Sequence, residues 1–273
     1  MLTIYIIAST PGKVAKHSVF WPLQKSTKQH IRNLKQRGTH PNLNSQYLYL
    51  AINLFCVCLP LLASLWFKGN FYKTWKALAI AIVLPAILFA AWDEVFTQLG
   101  IWGFNPRYHT GFRIGSLPIE EILFFVCIPF ACLFTYHAFK NLSERSLFFS
   151  KHELLSFFLA IVLAISGIYY IDKVYTAITF LGLSFFLAYL ALKVRARFPG
   201  YFYASFLAIL FPFFIINGVL TGSFIDEEVV WYNDTAILGL RLGTVPLEDI
   251  FYAMLLLLAN VSVYEWRLQT LTK

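Results

Sequence analysis

The apolar positions of the chain fall into seven long runs, separated by shorter segments that carry most of the polar residues. Each run can form a helix of about 20 residues, the length that crosses a hydrocarbon core about 30 Å thick. The pattern predicts an all-α, polytopic membrane helical bundle of about seven transmembrane helices. The predicted spans are residues 47–67, 75–98, 117–139, 154–171, 174–193, 201–220 and 244–264.

Two of the polar segments have nearly the same sequence. Residues 111–124 read GFRIGSLPIEEILF and residues 239–252 read GLRLGTVPLEDIFY. We call each copy, an arginine followed by Pro-x-Glu and a second acid, the acid signature. Pro85 and Pro212 also match inside the preceding spans, so spans one to three correspond to spans five to seven. The sequence therefore predicts a duplicated three-helix repeat.

The fourth span has no counterpart in this correspondence. Three spans alone would reverse the direction of the second copy, and one extra span restores it, so the two repeats are expected in parallel orientation. Both acid signatures then open on one side of the membrane. The predicted division is a basic N-terminal tail (1–46), a first three-helix repeat (47–140), a linking helix (141–173) and a second three-helix repeat (174–273).

The composition agrees with a membrane environment. Hydrophobic residues make up 59% of the chain and charged residues 13%, whereas soluble domains have about 25% charged residues. The net charge of +8 comes from Lys and Arg in the tail and loops, where lipid headgroups are expected. We therefore expect an integral membrane protein in contact with the lipid bilayer, with no nucleic-acid partner. A bacterial plasma membrane is the predicted location.

Each acid signature places two carboxyl groups at the start of a span, Glu120 with Glu121 and Glu248 with Asp249. Helix capping is the simplest interpretation, because carboxylates are stabilised at helix N-termini and the preceding prolines, Pro118 and Pro246, suit the first turn. Ionisable groups near membrane depth are costly, however, and usually functional. All four acids are therefore candidate catalytic residues.

Other polar and aromatic residues surround these acids in the sequence. Arg113 and Arg241, at equal spacing before the acids, are expected to orient them, together with Asp93, Asn217 and Asn233. Aromatic faces can stabilise a carbocation on a hydrocarbon substrate, although lipid contact explains most of the phenylalanines. The candidate substrate-binding residues are Trp92, Trp102, Trp231, Tyr232 and Tyr252.

Taken together, these motifs give the chain a recognisable pattern over residues 47–264. The pattern consists of Trp92-Asp93, Gly100-x-Trp102, the run from Pro118 to Glu121, Asn217-Gly218, Trp231-Tyr232-Asn233 and the second acid signature. In these motifs the chain resembles the membrane lycopene cyclases, whose two halves are separate subunits in some bacteria and one fused chain elsewhere.

The resemblance implies conversion of the acyclic ends of lycopene, or of another acyclic carotenoid, into β-ionone rings without net redox change. One carboxyl group would protonate the terminal double bond and another would remove a ring proton. We expect Glu120 and Glu248 to be the principal catalytic carboxyls, with Glu121 and Asp249 modulating them or sharing the proton. No cofactor or metal is expected.

Two alternatives stay open. A proton-coupled membrane transporter also combines a duplicated bundle with intramembrane acids. A related carotenoid-modifying enzyme, such as a hydratase that adds water to the same cation, would use similar residues. Product formation from lycopene discriminates among these functions.

Overall fold

The structure is a computed structural model that describes residues 45–66, 70–142, 151–194 and 198–271. Almost all of the predicted basic tail lies outside these residues. Within them, seven helices are long and apolar enough to cross a membrane, which confirms the predicted polytopic bundle. The helices are α1 (Leu48–Trp66), α2 (Trp75–Gln98), α3 (Ile119–Leu142), α4 (His152–Tyr169), α5 (Val174–Tyr189), α6 (Pro199–Leu220) and α7 (Leu247–Leu271).

Short β-strands, which the sequence pattern did not predict, occupy the two long loops. They are β1 (Trp102–Phe104), β2 (Arg113–Ile114), β3 (Leu117–Pro118), β4 (Val230–Tyr232), β5 (Arg241–Leu242) and β6 (Val245–Pro246). Each acid signature is thus a tight hairpin, β2–β3 or β5–β6, that leads directly into a helix. Its turn begins with Gly115 or Gly243, whose φ angles of 64° and 66° favour glycine.

Because of the hairpins, the two signature prolines lie just before the helices and not within them. Pro118 and Pro246 were expected in the first helical turn, but each ends a strand, and α3 and α7 begin at the next residue. The partner of each proline across its hairpin is the signature arginine, Arg113 or Arg241. The acids still lie in the first turn of their helices, as expected.

Strands β1 and β4 join the two long loops as an antiparallel pair. The flanking hydrogen bonds are reciprocal: Asn105 N donates to Val229 O and Asn233 N donates to Ile101 O, each at 2.8 Å. This pairing brings the loop after α2 and the loop after α6 together at one end of the bundle. Both acid signatures therefore lie at that end, between elements from the two halves.

The helices that follow the signatures, α3 and α7, lie at the centre of the bundle. Helix α3 packs against α1, α2 and α6, and α7 packs against α2 and α5. The linking helix α4 covers the outside of α5, where Ser184 Oγ donates a 2.6 Å hydrogen bond to Ala160 O. The buried core between these helices is mainly Phe and Leu, including Phe89, Phe125, Leu183 and Leu258.

One buried amide links α2 to α7 at membrane depth. Pro85 has no N–H, so the carbonyl of Ala81, four residues earlier, lacks its helical donor. Asn260 is fully buried on α7 and donates a 2.7 Å hydrogen bond to this carbonyl. An unpaired carbonyl is costly away from water, so the Asn260 side chain stabilises the proline-containing α2 from the other half of the chain.

Candidate active site

An elongated cavity of about 350 Å³ lies between α1, α3, α6 and α7. Its lining is mostly apolar, and its three carboxyl groups, Asp93, Glu121 and Asp249, gather at the end covered by β1 and β4. Along α3 the lining extends from Glu121 to Thr135, about 20 Å at 1.5 Å per residue. The cavity is therefore a long apolar slot with an acidic end.

Asp249, in the first turn of α7, accepts hydrogen bonds from three neutral donors. The Tyr175 hydroxyl donates to Oδ1 at 2.8 Å, while the Tyr232 hydroxyl and Asn217 Nδ2 donate to Oδ2 at 2.8 Å and 2.9 Å. The carboxyl group is 5% exposed. A carboxylate accepts hydrogen bonds but cannot donate them, so the three donors suit the ionised form of the Asp249 side chain.

Glu121 and Asp93 form a carboxyl pair on the opposite side of the acidic end. Both carboxyl groups line the same acidic end of the cavity. Each also accepts one tyrosine hydroxyl at 2.6 Å, Glu121 from Tyr49 and Asp93 from Tyr252. Two neighbouring carboxyl groups at the end of an apolar slot favour one shared proton, because ionising both of them there is costly.

The first acid of each signature, Glu120 or Glu248, has a different environment. Both residues are fully buried and neither lines the cavity. Glu120 Oε1 accepts from the backbone N and hydroxyl of Thr110, and Glu248 Oε1 accepts from Leu238 N and the Thr176 hydroxyl, at 2.6–2.8 Å. These carboxyl groups hold the loop that precedes each hairpin against the start of its helix.

The signature arginines point to the hairpins rather than to the acids. Arg113 Nη1 donates to Ser116 O at 3.0 Å, and Arg241 Nη1 donates to Thr244 O at 2.8 Å. Both arginines are exposed, and Arg113 Nη2 lies 3.0 Å from His109 Nε2. Burial and the nearby Arg113 guanidinium lower the pKa of His109. Among the described residues, neither arginine contacts an acid of the signatures, although Arg241 Nη2 lies 3.7 Å from Asp234 Oδ1.

The candidate aromatic residues divide into two groups. Trp102, Tyr232 and Tyr252 line the cavity beside the acids. Trp92 lies behind Tyr252, with ring centroids 5.6 Å apart, and Trp231 faces away from the cavity against Gly103 of β1. Burial, and then the neighbouring Asp249, raise the pKa of Tyr232 well above its usual value, so its hydroxyl stays a donor.

The two candidate asparagines also differ in position. Asn217 lines the cavity and contacts Asp249 directly. Asn233 instead holds a turn: its Oδ1 accepts from Thr235 N at 3.0 Å, and its Nδ2 donates to Gly100 O at 3.2 Å. Asn233 therefore supports the loop that covers the site without lining the cavity.

Comparison with known proteins gives this arrangement a family. The family described as lycopene cyclase matches residues 46–139 and residues 172–267, which are most of the chain and include both acid signatures. The chain belongs to the lycopene cyclase family. Among curated proteins, the bifunctional lycopene cyclase/phytoene synthase of Phycomyces blakesleeanus is 36% identical over 94 residues. That match covers 33% of this chain and 15% of the fungal protein. No solved structure gives a significant match.

Two residues of the site in this lycopene cyclase family member were not predicted from the sequence. Tyr49 and Tyr175, each the second residue of its helix, donate to Glu121 and Asp249. Residues 49–53 read YLAIN and residues 175–179 read YTAIT. Extending the alignment of the two halves back to the first span of each repeat would have found this repeated tyrosine.

Proposed function

We propose that the protein is a lycopene β-cyclase, which converts the acyclic ψ ends of lycopene into β-ionone rings and forms γ-carotene and then β-carotene. The observation that carries this proposal is the position of three buried carboxyl groups at one end of a long apolar slot. An apolar slot fits a hydrocarbon chain, and the carboxyl groups would meet its end. Membership of the lycopene cyclase family and the name of the fungal relative support the same reaction.

The reaction needs one proton added and one removed. An acid protonates the terminal carbon–carbon double bond and leaves a tertiary carbocation. The next suitable double bond attacks this cation, which closes the six-membered ring and moves the positive charge into it. A base then takes a ring proton, and the electrons of that C–H bond form the ring double bond. The product is an isomer of the substrate, so no electron donor or acceptor is consumed.

The hydrogen bonds of the site support a division of these roles. Two neighbouring carboxyl groups in an apolar site favour one shared proton, and we assign the Asp93–Glu121 pair, which lines the cavity, as the proton donor. Asp249 accepts three hydrogen bonds and is assigned as the carboxylate that removes the ring proton. After one turnover the donor pair lacks a proton and Asp249 carries one. Loss of the proton from Asp249 and reprotonation of the donor pair, both in exchange with solvent, complete the cycle.

Aromatic rings at the acidic end would stabilise the intermediate cation. The rings of Trp102 and Tyr252 have centroids 6.1 Å apart and both face the cavity beside the carboxyl groups. Ring faces attract a cation through their quadrupole, more strongly where water is excluded. The same exclusion of water favours proton loss over capture of the cation by water, which would give a hydroxylated product.

This proposal changes the roles expected for the first acids of the signatures. In it, Glu120 and Glu248 fix the loops and the helix starts, so that the second acid of each signature faces the cavity. The two arginines stabilise the hairpins. The site lies within an integral membrane protein. The proposed location is a bacterial plasma membrane, whereas the matched relative is fungal.

The test is product formation from lycopene in isolated membranes that contain the protein. We expect cyclic carotenes of unchanged mass in water, and one deuterium per ring in heavy water, because the donated proton exchanges with solvent. A product heavier by one water molecule would indicate a hydratase instead. Unchanged lycopene, with the protein present in the membrane, would contradict the proposal and favour the transporter alternative.

A further inference from the structure

Within the described residues, the cavity lining reaches the outer surface of the bundle on one side only. On α1, Phe55 and Leu59 line the cavity and are also 69% and 66% exposed. On α7, Leu256 and Leu257 line the same cavity and are 3% and 4% exposed. A side chain that lines a cavity while lying on the outer surface marks an opening, so the slot opens beside α1.

Helix α6 forms the other edge of this opening. Pro212 and Phe213 line the cavity; Pro212 is exposed and Phe213 partly exposed. Helices α1 and α6 each pack on α3 rather than closely on each other. Pro60 on α1 and Pro212 on α6 each remove one helical hydrogen bond beside the gap, which makes both edges easier to bend.

The opening lies at the depth of the hydrocarbon core. Leu59 is ten residues along α1 from Tyr49, which contacts Glu121, and this separation is about 15 Å in a helix. The surrounding surface of α1 is apolar, with exposed Phe55, Leu62 and Leu65. The gap therefore faces lipid chains and not water.

The acidic end, in contrast, is closed. Strand β1 covers it with Trp102 and Phe104, which are 5% and 7% exposed. Within the part of the chain that the structure describes, a long hydrocarbon would have to cross the polar loops to pass through this cover. Its source is the bilayer, which the gap between α1 and α6 faces directly.

We propose that the acyclic carotenoid enters this cavity sideways from the bilayer, one end first, through the portal formed by Phe55 and Leu59 on α1 and Phe213 on α6. The inference rests on the proposed cyclase function and adds the route of the substrate. The end of the chain reaches Asp93, Glu121 and Asp249, while the rest stays in the lipid. The second end can react only after the first has left, so the one-ring product is released between the two cyclisations.

The test replaces portal residues by tryptophan, which narrows the portal. Each variant is compared with a tryptophan variant at an exposed position of the same helix outside the portal. Leu59→Trp is paired with Leu62→Trp, and Phe213→Trp with Phe211→Trp; Leu62 and Phe211 are exposed on the same helices but do not line the cavity. Initial rates are measured in membranes against the lycopene content of the lipid, per amount of protein in the membrane. Two independent pairs keep the test decisive if one variant does not accumulate.

The portal variants are expected to lower kcat/KM by about 10-fold or more with a smaller effect on kcat, because entry and not chemistry is hindered. The lipid-facing controls are expected to stay within about 2-fold of wild type. A lower cyclisation rate in the portal and control variants alike, or in none of them, would contradict the proposed portal. Wild-type membranes that form no cyclic product would instead contradict the proposed function, so the two failures are distinguishable.

Discussion

The hydroxyl of Tyr252 on α7 donates a 2.6 Å hydrogen bond to Asp93 on α2, which joins the last helix of the second half to the second helix of the first. Asp93 lines the cavity together with Glu121, the second acid of the first signature. Tyr252 and Asp249 both come from the second signature helix. The acidic end of the cavity thus contains groups from both halves, and neither half alone holds all three carboxyl groups.

Replacement of Tyr252 by Phe tests the link between the halves. The variant keeps the ring that lines the cavity but removes the hydrogen bond to Asp93. We expect the rate of ring formation to fall about 10-fold, which corresponds to ~1.4 kcal/mol of transition-state free energy. Initial rates in membranes with lycopene check this.

Tyr203→Phe is the matched control for that variant. It also removes one buried tyrosine hydrogen bond, to Ser156 at 2.6 Å, but Tyr203 does not line the cavity. Its rate per folded protein should match wild type. Equal losses in the two variants would mean that Tyr252 acts through general stability and not through Asp93.

The contact between Asn260 and the Ala81 carbonyl predicts a stability effect that depends on Pro85. Asn260→Ala should lower the free energy of unfolding by about 1–2 kcal/mol, because it leaves a buried carbonyl unpaired. In a Pro85→Ala background the helix itself supplies an N–H to that carbonyl. Asn260→Ala should therefore lower the free energy of unfolding by less in that background.

Thermal unfolding of the four proteins of this double-mutant cycle, in the same detergent, measures the coupling. Additive effects of the two substitutions would show that Asn260 does not compensate for the proline. The cyclisation rate of the folded fraction is a separate readout and need not follow stability.

The exposed position of the signature arginines leads to a further prediction. Arg113 and Arg241 each donate to a carbonyl of their own hairpin and contact none of the three cavity acids. Substitution by Ala should therefore change the cyclisation rate within about 3-fold, as for other exposed polar contacts. A fall of about 100-fold in the cyclisation rate after substitution of either arginine, with normal amounts of protein in the membrane, would instead support the orienting role predicted from the sequence.

The helical architecture was predictable because each span is a continuous apolar run, and this signal needs no knowledge of tertiary contacts. The hairpins were not, since strands of two residues are too short to show an alternating pattern. The β1–β4 pair joins Trp102 to Tyr232, which are far apart in the chain and belong to different halves. Such a pairing depends on how the two halves dock.

The choice between the two acids of each signature could not be made from the sequence. Consecutive residues on a helix point about 100° apart, so Glu120 and Glu121 cannot both face the same cavity. Both have the chemistry expected of a catalytic group. Only the packing of α3 against its neighbours turns Glu121 to the slot and Glu120 to Thr110.

The central claim is that the second acids of the signatures, and not the first, perform the proton transfers. The most direct measurement is the amount of cyclic carotene formed from lycopene in membranes that contain Glu121→Gln, Asp249→Asn, Glu120→Gln or Glu248→Gln protein at equal levels. We predict a loss of about 100-fold or more for Glu121→Gln and Asp249→Asn. The other two variants should be less heat-stable but active once folded. Full activity in Glu121→Gln and Asp249→Asn, with loss in Glu120→Gln and Glu248→Gln, would contradict the account.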